Sequence, residues 1–207
     1  MRKTLIAAAL LAATPFAAQA ADGLSYTFVE GGYTHAEMDL GDGFGNPKAD
    51  GGYLRGSYAL TDATHVFGGY SRVSDSASEA GLKVEADLDQ YELGLGWHMN
   101  MSERVDFTAD IAYVRVDLKA KASYMGVSTS DSDAMNAGRV TLGLRGTPSA
   151  RTEAWAKAGA MDGSDMDSEF VGNLGGQFKF TPTWGLVGEI QWIGDVTQYS
   201  AGVRASF

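Results

Sequence analysis

Along most of the chain, apolar residues alternate with polar or small ones, the two-residue period of a β-strand. Tyr91, Leu93, Leu95, Trp97 and Met99 share one face, opposite Gln90, Glu92, Gly94, Gly96 and His98. Phe170, Gly172, Leu174, Gly176, Phe178 and Phe180 alternate in the same way with Glu169, Val171, Asn173, Gly175, Gln177 and Lys179. Val140, Leu142 and Leu144 face away from Arg139, Thr141, Gly143 and Arg145. A weaker segment sets Leu54, Gly56, Tyr58 and Leu60 against Tyr53, Arg55, Ser57 and Ala59. The pattern predicts strands over 24–36, 48–60, 64–74, 86–99, 104–117, 133–146, 151–161, 168–181, 184–193 and 195–207. Their length suits strands crossing a membrane at a tilt, which need about 9–11 residues, better than soluble strands of about 5–6.

The connections alternate in kind. Thr61-Asp62-Ala63, Asn100 to Glu103, Thr147 to Ala150 and Pro182-Thr183 read as short turns. Residues 37–47, 75–85, 118–132 and 162–167 read as longer loops, and the last hairpin is tight near Gly194. Short periplasmic turns and longer extracellular loops are the outer-membrane arrangement. Open sheet edges cannot exist in lipid, so the strands must close. The expected fold is an all-β, closed antiparallel transmembrane barrel of about ten strands, with eight as the alternative count.

The N-terminus supports export. Arg2 and Lys3 precede an apolar stretch from Leu5 to Ala13, then Pro15, and Ala18-Gln19-Ala20 supplies an A-x-A cleavage pattern. Residues 1–20 read as a signal peptide cleaved after Ala20, and 21–207 as the barrel. Losing the two positive leader residues takes the formal charge from −10 to −12. So acidic a surface argues against nucleic acid as a partner. There is no cysteine, so stability does not come from disulfides. After the leader no apolar run reaches transmembrane-helix length.

A soluble sandwich would also alternate, so the faces must be weighed. The polar faces carry Glu30, Glu92, Asp106, Asp110, Glu153, Glu169 and Glu189, with Arg55, Arg139, Arg145, Lys157, Lys179 and Arg204. In a sandwich these thirteen would face water; in a barrel they face the lumen as a charged network, aided by Gln90, Gln177, Gln191 and Gln198. Placing Glu30 inside puts Tyr26 and Phe28 inside as well; placing Glu153 and Lys157 inside brings Trp155 with them. Trp97, Trp184, Trp192, Tyr33, Tyr58, Tyr70, Tyr113 and Tyr199 lie mostly near strand ends, as interface girdles do. The chain stops inside a strand, with Tyr199, Ala201, Val203, Ala205 and terminal Phe207 alternating with Ser200, Gly202, Arg204 and Ser206. That ending resembles the signal read by the barrel-assembly machinery.

Three stretches carry a family resemblance: the start through LSYTFVEGGYT (Leu24 to Thr34), HVFGGYSR in the third strand, and YSAGVRASF at the end. They resemble the xanthomonad quorum-factor family of small outer-membrane proteins, also named for plant-immunity elicitation. The resemblance implies a processed, tyrosine-sulfated signal peptide centred on Tyr26. More broadly the chain is similar to small barrels of the OmpA/OmpX type.

Candidate chemistry is sparse. A rim Ser-His or Asp-His pair could use only His35, with Asp39 and Asp42 nearby in sequence; His65 and His98 lie near the periplasmic turns. Asp162, Asp165, Asp167 and Glu169 offer oxygen ligands for calcium, but the twelve-residue loop pattern is absent. Zinc spacings, a phosphate loop and a nucleophile elbow are missing, and Gly41-Asp42-Gly43-Phe44-Gly45 follows no βαβ pattern. No cofactor, metal or catalysis is expected. The leading expectation is a monomeric envelope barrel, its lumen plugged by the charged network. It meets outer-membrane lipid and lipopolysaccharide outside, and the assembly machinery on insertion. A narrow pore for small polar solutes, a lipid A- or peptide-acting enzyme, and a source of a secreted signal are the alternatives.

Overall fold

A computed structural model describes residues 24–41, 46–79, 82–124, 127–164 and 166–207. The leader, with Ala18 and Ala20 at its cleavage site, lies outside them, as do Asp42 and Asp165. Ten strands form: β1 (Phe28–Met38), β2 (Lys48–Ala59), β3 (Thr64–Glu79), β4 (Leu82–Ser102), β5 (Val105–Tyr124), β6 (Val127–Ser149), β7 (Thr152–Gly163), β8 (Met166–Lys179), β9 (Trp184–Ile193) and β10 (Val196–Ser206). Each pairs antiparallel with its sequence neighbours, and β1 pairs β10 from Phe28↔Ser206 to Met38↔Val196, closing the barrel. Every strand backbone therefore has a partner on both sides where lipid offers none.

The side chains sort inside out. Leu93 is 64 % exposed and Ile111 60 %, whereas Glu30 is 1 % exposed. Leu54, Leu95, Val140, Leu142, Leu174 and Leu186 share the outer face, an apolar band that only hydrocarbon suits. Tyr33, Tyr70, Tyr91, Tyr113, Trp192 and Tyr199 edge this band on one side; Tyr58, Trp97, Phe180 and Trp184 edge it on the other.

Three expected loops are corrected. Of the residues expected to form loops 75–85 and 118–132, those described (75–79, 82–85, 118–124 and 127–132) continue as strand, because alternation persists there: Val84, Ala86 and Leu88 oppose Lys83, Glu85 and Asp87. The β3–β4 pairing runs out to Glu79↔Leu82 and β5–β6 to Tyr124↔Val127. In the expected loop 162–167, β7 and β8 are likewise still paired at Gly163↔Met166. Serine and aspartate made these stretches read as loops. Above the membrane, however, a strand needs only a hydrogen-bonded neighbour, and each of these has one. The β2–β3 ladder stops at Asp50↔Ser74 and the β6–β7 ladder at Ala137↔Gly163, so β3 to β6 stand above the rest as a four-stranded sheet. From Tyr113 to Tyr124 the rise is about 35 Å of strand at ~3.3 Å per residue.

Two glycines answer to local geometry. Gly194 adopts φ +53° in the tight β9–β10 turn. At the seam, a Cβ on Gly32 would lie 2.2 Å from the Ala201 carbonyl oxygen. Gly32→Val should therefore destabilise the folded barrel by about 1–3 kcal/mol or more, as overpacking does. Urea unfolding in lipid vesicles, followed by heat-shifted gel mobility, checks this; an unchanged midpoint contradicts a tight β1–β10 seam.

Candidate functional site: the lumen and the outer rim

Alternation sends the second face of every strand into the lumen, where charge must be matched. Arg204 Nε donates to Glu30 at 2.7 Å, and both are nearly inaccessible. Arg145 donates to Glu153 at 2.6 Å, and Lys179 meets the other oxygen of the same carboxylate, also at 2.6 Å. Arg55 pairs with Glu189, which also accepts the Trp155 indole N–H at 3.0 Å. Arg139 donates to Glu92, and Lys157 to Asp110. Asp106 has a phenol as partner: the Tyr26 hydroxyl donates to it at 2.9 Å. Among the thirteen charges assigned to the lumen by pattern, Glu169 stands apart. It faces inward at the outer mouth beside Gly194, away from this network. Gln198 donates to Thr34 at 2.7 Å, and Gln177 and Gln191 are buried.

The periplasmic end is closed by Tyr26, which shares the inward face of Glu30. Leu24 to Thr27 precede β1, and Tyr26 folds into the lumen, 7 % exposed. Its ring stacks on His98 at 3.7 Å between centroids and lies 4.8 Å from His65. The Arg145 guanidinium sits 4.7 Å from the Tyr26 ring centroid. Ser57 Oγ donates to the Tyr26 carbonyl at 2.7 Å, and Ser25 Oγ to the Phe207 carbonyl, so the segment before β1 and the residue after β10 are tied at this rim. The signal was present in the sequence: His65 and His98 share the inward parity of Phe67 and Glu92.

The outer end holds an apolar cluster instead. Val114, Ala137, Met161 and Val171 are buried together against Val116, Met166 and Ile193. Between the two ends lies a cavity of about 170 Å³, bounded by Tyr26, His65 and Arg145 at one end and Ser71, Gln90 and Gln198 at the other. It has room for several waters.

His35 points outward just above the Tyr33 girdle. Its Nδ1 lies 2.6 Å from Asp50 and its Nε2 3.1 Å from Glu37, so among the described residues its partners are these two and not Asp39, while Asp42 lies outside the described residues. Tyr33 donates to the same Asp50 oxygen, and Lys48 to Glu37 at 2.7 Å. Hydrogen bonds to Asp50 and then Glu37 hold the imidazolium and raise the His35 pKa. A raised folded-state pKa stabilises fully below the unfolded value and loses that contribution as pH rises through the folded one. The His35 ring should titrate by NMR above the ordinary value of about 6.5, and Asp50→Asn should return it toward that value. A midpoint unmoved by Asp50→Asn contradicts the pairing. Among the described residues no group of histidines and carboxylates is arranged to hold a metal.

A closed barrel with an apolar exterior belt and aromatic girdles defines an integral outer-membrane protein. Residues 4–207 match the outer membrane protein β-barrel domain, and the chain belongs to that family. No curated protein matches the sequence. Among solved structures, the translocator domain of the autotransporter NalP from Neisseria meningitidis is similar at 15 % identity. That match covers 100 % of this chain and 96 % of that one, with a TM-score of 0.55. Ail, the attachment invasion locus protein of Yersinia pestis, in complex with the heparin analogue sucrose octasulfate, is similar at 16 % identity. It covers 87 % and 97 % of the two chains, with a TM-score of 0.50. The transport unit of AIDA-I from Escherichia coli is similar at 10 % identity, 96 % of each chain and a TM-score of 0.50. At these identities the likeness is one of fold.

Proposed function

We propose that this protein is a closed-lumen envelope barrel that acts through its outer surface and does not conduct. One observation carries the reading: the basic side chains in the lumen are engaged by acids in the lumen, among them Arg204 with Glu30 and Arg55 with Glu189. The Tyr26 plug at one end and the Val114–Val171 cluster at the other give the same reading a physical seal. The working surface is then the raised sheet of β3 to β6. In this reading the barrel is monomeric and non-enzymatic, needs no cofactor, and is exported by a leader cleaved after Ala20. It is inserted by the assembly machinery through the Tyr199–Phe207 strand. Both ring nitrogens of His35 are committed to carboxylates, which supports a structural rather than a catalytic histidine. Release of a peptide centred on Tyr26 would remove β1, the strand that pairs both β2 and β10.

Single-channel recording of refolded 21–207 in a planar bilayer tests the proposal. Silence is expected from protein shown to be folded. A stable conductance would sink it and favour the second reading, a narrow polar pore, for which the cavity beside Gln90 and Gln198 speaks.

A further inference from the structure

Above the girdle the sheet of β3 to β6 has two unlike faces. The outward one is mixed in charge: Arg72, Lys83, Arg115, Lys119 and Lys121 stand among Glu85, Asp87, Asp89 and Asp117. The face turned toward the barrel mouth holds no cation among the described residues above the girdle. Register sets it out in rows across the four strands. Val73, Leu88, Leu118 and Asp133 form the lowest row, and Asp75, Ala86, Ala120 and Asp131 the next. Ala77, Val84, Ala122 and Thr129 form the third. The centre of this face, on β4 and β5, is apolar in every row, and aspartate stands on both long sides.

At its base the face runs into the buried cluster, where Val116 packs against Val114 and its neighbours. Higher up it is open: Leu118 is 45 % exposed, Val84 40 % and Tyr124 50 %. Held above the hydrocarbon, these side chains have no lipid to meet, and a contiguous apolar patch in water marks a contact surface.

The free edges of the sheet are poorly suited to contact. Beyond Ser74 on β3 and Ala137 on β6, the ladders to β2 and β7 have stopped. There Asp75 accepts the Ser76 N–H at 2.8 Å, Asp131 that of Ser132 at 2.9 Å and Asp133 that of Ala134 at 2.8 Å. With these donors capped and the edges charged, a strand from outside finds a poor template. The face offers a better one. Asp75 and Asp131 end the same row, three strand spacings or about 14 Å apart. An α-helix with its side chains is about 10–12 Å across, so one lying along β4 and β5 fits between the two rims. Ala86 and Ala120 let it approach closely, and lysine or arginine on its flanks would reach the aspartates. From Val116 to Tyr124 the face runs about 26 Å, the length of a helix of about 17 residues.

We propose that the mouth-side face of β3–β6 docks a basic amphipathic helix of another polypeptide, with the helix's apolar stripe on Leu88, Leu118 and Val84 and its cations against Asp75, Asp131 and Asp133. A second copy of this chain fits less well, because the same face would set aspartate rims against aspartate rims. The docking rests on the reading above that the raised sheet is the working surface, and it names the chemistry of the partner.

The test titrates refolded protein in phosphatidylcholine nanodiscs with a fluorescent peptide of leucine, alanine and lysine in helical period, against empty nanodiscs as background. Saturable binding above that background is expected, weakening as salt is added. It should fall about tenfold or more for Val84→Ser/Leu118→Ser, for Asp75→Asn/Asp131→Asn/Asp133→Asn, and for the peptide with glutamate in place of lysine. Lys83→Gln, on the other face, should leave it unchanged. Asparagine can still accept the N–H that follows it, so the triple variant removes charge while keeping the edge caps. Heat-shifted mobility confirms that each variant is folded, and if the apolar-face variant does not fold, the triple variant supplies the comparison. Absence of binding above background, or binding by either folded variant as tight as by the unmodified chain, overturns the docking. Equal binding of a peptide with the same residues in strict alternation also overturns it, since that peptide would add as a strand. Association of the barrels with one another without peptide overturns it too, by making the occupant a second copy. Conductance is read separately: a silent barrel that fails to bind strikes only the partner, and a conducting barrel strikes only the closed lumen.

Discussion

Hydrocarbon offers no hydrogen bond, and from that the rest of this structure follows. A sheet in lipid must have no edge, so β1 has to meet β10, and Gly32 opposite Gly202 lets the two backbones approach. Closure creates an interior, and ten strands enclose a little more space than the eight whose side chains just fill a barrel. The extra volume is filled with charge. Buried ions are tolerable only when paired, which is why Arg204 lies across from Glu30 and why Glu153 receives two cations.

The interior has three layers. At the periplasmic rim an aromatic plug of Tyr26, His98 and His65 is tied to Asp106 and crossed by Arg145. In the middle, ion pairs surround a small cavity. Toward the outside, valine and methionine replace charge on the side of β5 to β9. The exterior is ordered by depth too, with leucine at mid-membrane, tyrosine at the outer interface, then Arg72 and Arg115 above it. One alternation thus writes two programmes, each changing with height.

Legibility in the sequence tracked how strictly physics limits each residue. Lipid-facing strands were readable because hydrocarbon forces every second residue to be apolar, as from Tyr91 to Met99. The inward parity of Glu30 implied that of Tyr26 and Phe28, since all three share one face. The raised sheet was not readable: outside the membrane no rule caps strand length, and Ser-Asp composition is as fit for a solvated strand as for a loop. The pairing of side chains across the lumen was also beyond reach, because it depends on how strands far apart in sequence face each other. Glu92 meets Arg139 across an intervening strand, and Glu30 meets Arg204 only because the barrel closes. The outer apolar cluster was hidden for another reason, since Val114 and Val171 occupy positions where pattern predicts polarity.

Closure places oppositely charged residues against one another in the lumen. A double-mutant cycle on Arg204 and Glu30 addresses it most directly, with Arg204→Met, Glu30→Gln and the double variant unfolded by urea in vesicles. A coupling of about 1–3 kcal/mol is expected, with the double variant more stable than the sum of the single losses implies. A coupling near zero would mean that each charge faces water by itself, and it would contradict a lumen held shut by its own ion pairs.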